Sequence, residues 1–172
     1  GGQVTFTSSD RGQNYLRYNS SDYVGNSQSV QNISIRINQL PLFGEANANE
    51  SGVIKGGNAI RITTWSNDSD SGQNLVLYVC DSNDVDSIGC NDGTYCTNTT
   101  SQDNVSCIFT SETDSSNHNW YAFIYDGLGE VAVNNYSGSY TTDSEKPFIT
   151  ISSPENITYN ESTISASVSL SE

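Results

Sequence analysis

The sequence predicts an all-β protein, a sandwich or a barrel, on three observations. Ile and Val number 24, while Ala and Leu number 13 together and Met is absent. Branching at Cβ suits a pleated surface, and the good helix formers are scarce. Ser, Thr and Asn number 28, 15 and 20, the residues of turns and solvated strand faces. Short apolar runs recur between clusters of Gly, Asn, Asp and Ser, the spacing of sandwiches and barrels. A helical bundle is excluded. With 172 residues the chain suits one domain of ordinary size.

The elements follow in order. Strands are expected at 3–7, 13–18 and 30–37, the last alternating with Ile33, Ile35 and Ile37 on one face. Helix is expected to amount to at most a turn or two, near 46–51. Strands follow at 59–65 and at 75–80, the latter apolar throughout and so central. After a cysteine-containing loop come 105–110, 119–125 and 130–134, with Asp126-Gly127-Leu128-Gly129 as a hairpin turn. Trp65 and Trp120 both fall in strand patterns and read as core. Composition changes near Tyr140, and 143–147 reads as a linker between a sandwich at 1–142 and C-terminal strands at 148–172. In that tail Ile164, Ala166, Val168 and Leu170 share one face, and the 26 residues from Pro147 to Glu172 hold too little to form a core.

The charge is −14, and no Lys or Arg lies between Arg61 and Lys146, where 13 acids do. Such a surface repels phosphate backbones and anionic lipid, so neither nucleic acid nor the membrane face is an expected partner. No apolar run approaches the ~20 residues of a membrane span. The chain opens Gly1-Gly2-Gln3 without an initiator Met and reads as a mature or trimmed product.

Cys80, Cys90, Cys96 and Cys107 form no CxxC pair, and the single histidine, His118, is distant, which excludes an ordinary zinc site. An even count in such a chain reads as two disulfides formed in an oxidising compartment. Three pairings are open. Cys80–Cys107 with Cys90–Cys96 is preferred, because the outer two sit on apolar runs and the inner two bracket a tight loop. Acceptor sequons occur at Asn19, Asn32, Asn49, Asn67, Asn98, Asn104, Asn135, Asn156 and Asn160, more than chance pairing gives. The expectation is a secreted, N-glycosylated protein.

No catalytic constellation is expected. His118 lies in a polar turn, no Gly-x-Ser-x-Gly elbow occurs, and no free thiol is assumed. The one cofactor the residues suggest is calcium, on Asp81, Asn83, Asp84 and Asp86, because hard cations take clustered oxygens from a flexible loop. The pair Asp68 and Asp70 forms a second acidic cluster, which lacks spaced ligands. Tyr15, Tyr18 and Tyr23 suggest a sugar-stacking groove.

The run Trp120-Tyr-Ala-Phe-Ile-Tyr-Asp-Gly-Leu-Gly-Glu resembles the penultimate strand, turn and last strand of immunoglobulin-like or fibronectin-type domains in archaeal cell-surface proteins. Asp143-Ser-Glu-Lys-Pro-Phe-Ile-Thr-Ile-Ser-Ser-Pro-Glu-Asn resembles the linker and first strand of a following repeat. The stretch from Cys80 to Cys107 is similar to disulfide loops in that group. The resemblance spans roughly residues 59–170. No Cys…Trp…Cys of antibody type is present, so it concerns architecture. It implies an immunoglobulin-like β-sandwich with a disulfide-bonded loop insertion and a C-terminal strand extension. The function implied is structural: a cell-surface filament or layer subunit that polymerises with itself, Ile164, Ala166, Val168 and Leu170 entering a neighbour by strand addition. The other expectation is a glycan- or cell-binding adhesin domain of a longer multi-repeat protein.

Overall fold

The computed structural model describes residues 3–70, 72–101, 104–155 and 157–171. It is all-β, with one short 3-10 turn at Ser8–Asp10. The strands are β1 (Gly12–Tyr18), β2 (Gln31–Ile37), β3 (Leu42–Ala48), β4 (Gly52–Lys55), β5 (Ala59–Asn67), β6 (Leu75–Cys80), β7 (Val85–Asp86) and β8 (Gly89–Cys90). There follow β9 (Thr94–Thr100), β10 (Asn104–Thr110), β11 (Asn117–Tyr125), β12 (Tyr136–Asp143), β13 (Phe148–Ser153) and β14 (Ser167–Ser171).

Two sheets make the sandwich: β10-β5-β3 and β4-β12-β11-β6-β9. β3, β5 and β10 take the A, B and E places of an immunoglobulin-type fold, and β6, β11 and β12 the C, F and G places. β4 pairs in parallel with β12, while the other ladders are antiparallel. Strand parity builds the core. Ile60 and Ile62 of β5 and Val105, Cys107 and Phe109 of β10 meet Leu75, Leu77 and Val79 of β6 and Trp120, Ala122 and Ile124 of β11. Each such aliphatic side chain, once buried, contributes about 1.5–3 kcal/mol.

β6 and β11 are apolar on both faces because both faces are covered. Their second face carries Tyr78, Cys80, Phe123 and Tyr125 beneath the small hairpin β7–β8. The Tyr125 hydroxyl donates to the Asp86 carbonyl at 2.6 Å. Gly89, at φ +129°, lets this lid close, since a Cβ there would come within 2.6 Å of the Tyr78 ring.

The disulfides are Cys80–Cys90 and Cys96–Cys107, with Cα atoms 5.7 and 5.9 Å apart. The expected Cys80–Cys107 and Cys90–Cys96 pairing is therefore wrong. Leu75, Leu77 and Val79 face the core, so Cys80 faces the lid, whereas Cys107 lies between core residues Val105 and Phe109. Cys96 opposes Val79 across the ladder and so shares the core side. The first bridge pins the lid, and the second ties the edge strands of the two sheets together.

Several elements differ from expectation. Residues 3–7 form no strand, and β3 occupies residues where no strand was expected. The turn at 126–129 is present, but 130–134 makes one bridge, Tyr125 with Val131, and the next strand is β12. Sequence reading missed β12, whose inward positions are Gly138, Tyr140 and Thr142, because it lacks aliphatic residues. β1 and β2 are as expected yet form a sheet of their own, as do β13 and β14.

Candidate functional site

The N-terminal hairpin is an arm fastened at its base. The Arg11 guanidinium pairs with Glu130 at 2.6 Å and donates to the Asn38 carbonyl. Asn38 Nδ2 donates to the buried Asp126 at 2.6 Å, and Arg36 and the Gln39 amide both donate to the buried Asp70. The hydrogen bond from Arg11, aided by Asn38, holds the Glu130 carboxyl below its ordinary range. Asp68 is pushed up by burial, and its Oδ1 accepts from the Asp70 amide. The second acidic cluster is thus a fastening. Tyr15 and Tyr18 fall on opposite faces of β1 by parity, and Tyr23 projects from the tip, so the three line no common groove.

A cleft of about 540 Å³ opens at one end of the sandwich. Asp81 and Asp92 come from the disulfide loop, Tyr95 from β9, Glu112 and Asp114 from the turn after β10, and His118 from β11. Tyr95 stacks flat on Phe109, and His118 lies over Tyr140 at 5.2 Å. Burial raises the pKa of Tyr95 and of Tyr140. His118 is more enclosed than a free surface histidine, its side chain 15% exposed. Its Nε2 meets both Asp114 Oδ1 at 2.7 Å and Ser116 Oγ at 3.1 Å. A Ser–His–acid relay needs the hydroxyl and the carboxylate on opposite ring nitrogens. Here one nitrogen serves both, and the trio holds a turn. The hydrogen bond from His118 draws the Asp114 carboxyl down to about 2.

The candidate calcium ligands are each engaged locally. Asp81 Oδ1 accepts from the Gly93 amide, Asn83 Oδ1 from Asn135, Asp84 Oδ1 from Asn91 and Asp86 Oδ1 from the Ile88 amide. Among the described residues no three His, Cys, Asp or Glu side chains form a group that could hold a metal ion. Asp81 and Asp86 cap turn amides, while Asn83 and Asp84 accept from side-chain amides.

Two surfaces stand out instead. Eight of the nine sequon asparagines are exposed, and the ninth, Asn156, lies outside the described residues. The second is the tail. β13 and β14 pair with Ile149 opposite Leu170 and Ile151 opposite Val168, so four aliphatic side chains share one face. They are 58, 73, 66 and 55% exposed respectively. Ile164 precedes β14 and is also exposed, as is Ala166.

No family model and no curated protein matches this chain. Its two disulfides mark a secreted or extracellular protein, and among the described residues no helix is long and apolar enough to cross a membrane.

Proposed function

We propose that this chain is a glycosylated structural module of an extracellular filament or surface layer, with the β13–β14 hairpin as the connector between modules. The uncovered aliphatic face of that hairpin carries the reading. Isolated two-stranded sheets are marginal in water, and an exposed apolar sheet face gains stability only when something covers it. In the filament arrangement the hairpin docks on a neighbouring copy, where main-chain hydrogen bonds along its free edges give affinity and the aliphatic face gives register. The exposed sequons and two disulfides suit an exterior exposed to proteases, and the resemblance to archaeal surface domains points the same way.

A second arrangement has its own support. β13–β14 is built like β3–β5. Both are antiparallel, both close on a pair fourteen residues apart (Ala48 with Ile62, Ser153 with Ser167), and both carry a bulge in the first strand. On this reading the hairpin opens a following sandwich in a multi-repeat surface protein or adhesin.

Negative-stain electron microscopy of native material, with and without residues 147–172, tests the proposal. Regular fibres that vanish on deletion support assembly through the tail. Fibres that persist without it, or dispersed native particles, overturn the filament reading, and extended multi-lobed particles select the multi-repeat arrangement.

A further inference from the structure

Trp65 was expected in the core and is outside it. Parity with Ile60 and Ile62 sends it to the outer face of the three-stranded sheet, where it is 43% exposed. The ring packs over the backbone of Gly44 in β3, where a Cβ would fall 2.0 Å from ring Cε3. Only glycine lets the ring approach the sheet this closely, and the part of the ring turned away from Gly44 meets solvent.

Two acceptor asparagines flank that ring. Asn104 of β10 is the direct cross-strand partner of Trp65, a relation that places Cβ atoms about 4.5–5.5 Å apart. Asn67 lies two residues along β5, on the same face. Both are exposed, and both begin intact sequons, Asn67-Asp-Ser69 and Asn104-Val-Ser106. Asn98 borders the same face, its Nδ2 donating to the Ser106 carbonyl at 2.7 Å. Sugars at these positions would crowd out a protein partner while leaving the indole within their own reach.

We propose that Trp65 is the stacking platform for the first sugar of an N-linked glycan borne by Asn104 or Asn67, an inference that rests on the glycosylated-exterior reading above. Attachment joins the asparagine Nδ2 to the anomeric carbon of a lipid-linked, phosphate-activated sugar. The C–N bond forms as the anomeric C–O bond to phosphate breaks, the amide gives up one proton, and the lipid phosphate departs. The C–H face of the pyranose, slightly positive, then meets the negative face of the indole, and both lose apolar contact with water.

The two tryptophans make this measurable. Trp120 is 4% exposed, so a neutral quencher such as acrylamide reports on Trp65. The experiment maps occupancy by mass spectrometry on the native full chain and compares quenching before and after enzymatic removal of glycan. The expected result is sugar at Asn67 or Asn104 and a quenching constant that rises about twofold on removal, as one covered ring face is freed. The N67Q and N104Q variants, produced in the glycosylating host, identify the source: only loss of the stacking sugar raises quenching in the untreated sample. Unchanged quenching with either site occupied, or occupancy confined to other sequons, overturns the platform and leaves the proposed function standing. Absence of sugar at all nine sequons overturns the platform and the glycosylated part of the proposed function.

Discussion

The strand pairs β3–β5 and β13–β14 share a construction and differ in what lies over them. In the first, Phe43, Ile60 and Ile62 meet the five-stranded sheet and are sealed from water. In the second, Ile149, Ile151, Val168 and Leu170 pair with one another and stay more than half exposed. The lesson is that period-2 alternation specifies which side chains share a face, while stability comes from the layer that covers it. The sandwich carries its own covering layer, and the tail's aliphatic face is exposed to solvent.

The strongest break in that comparison is a cavity under the covered pair. Ile62→Ala is expected to cost about 2–5 kcal/mol, read as a fall in the denaturant midpoint, whereas Ile151→Ala in the tail should cost no more than about 0.5 kcal/mol. Equal effects would mean that the tail packs on the sandwich after all. Removing the bridge between the sheets, with Cys96 and Cys107 both changed to Ser, should cost about 2–4 kcal/mol. Losing Cys80–Cys90 should instead show first as faster proteolysis within residues 81–94, because that bridge pins the lid.

The two tryptophans sharpen the same contrast. Trp120 crosses Gly138 inside the core and Trp65 crosses Gly44 outside it, and a Cβ at either glycine would collide with the indole. Gly138→Ala is expected to cost about 1–3 kcal/mol, since the buried ring cannot yield. Gly44→Ala should cost less, because Trp65 can swing toward water, and a thermal-melt comparison of the two variants would rank them. In the tail, Val168→Asp should leave the sandwich melting temperature unchanged and abolish fibres in micrographs.

The smallest expected effect is electrostatic. The folded-state pKa of Asp114 is drawn down to about 2 by His118. The stability it contributes is therefore fully present above the ordinary carboxylate range and is lost as pH falls toward about 2. Asp114→Asn should flatten that acid limb in melts between about pH 4 and pH 2, leaving neutral-pH stability nearly untouched because the carboxylate is exposed.

Much of the fold was legible in the residues. β5, β6, β10 and β11 were all expected as strands, β6 as an apolar run that marks a central one. β12 did not, because Tyr136, Gly138, Tyr140 and Thr142 line the core without an aliphatic among them. Glycine there serves Trp120, a partner that lies on another strand. The disulfide pairing was misjudged because it depends on which face of β6 carries Cys80, and an apolar run does not disclose its own parity. Trp65 was misjudged for a related reason: aromatic character suggested core, while its spacing from Ile60 and Ile62 required the surface.

By itself the sequence determined the all-β class, the acidic and sequon-rich surface, the oxidising compartment and the alternation of each strong strand, since these rest on composition and local spacing. The tertiary structure alone decided which cysteines meet, that Asp70 and Asp126 fasten the N-terminal arm, and that the tail's aliphatic face is left open. Each of those depends on which strands become neighbours. That is a property of sheet order and register across the chain, and local spacing does not carry it.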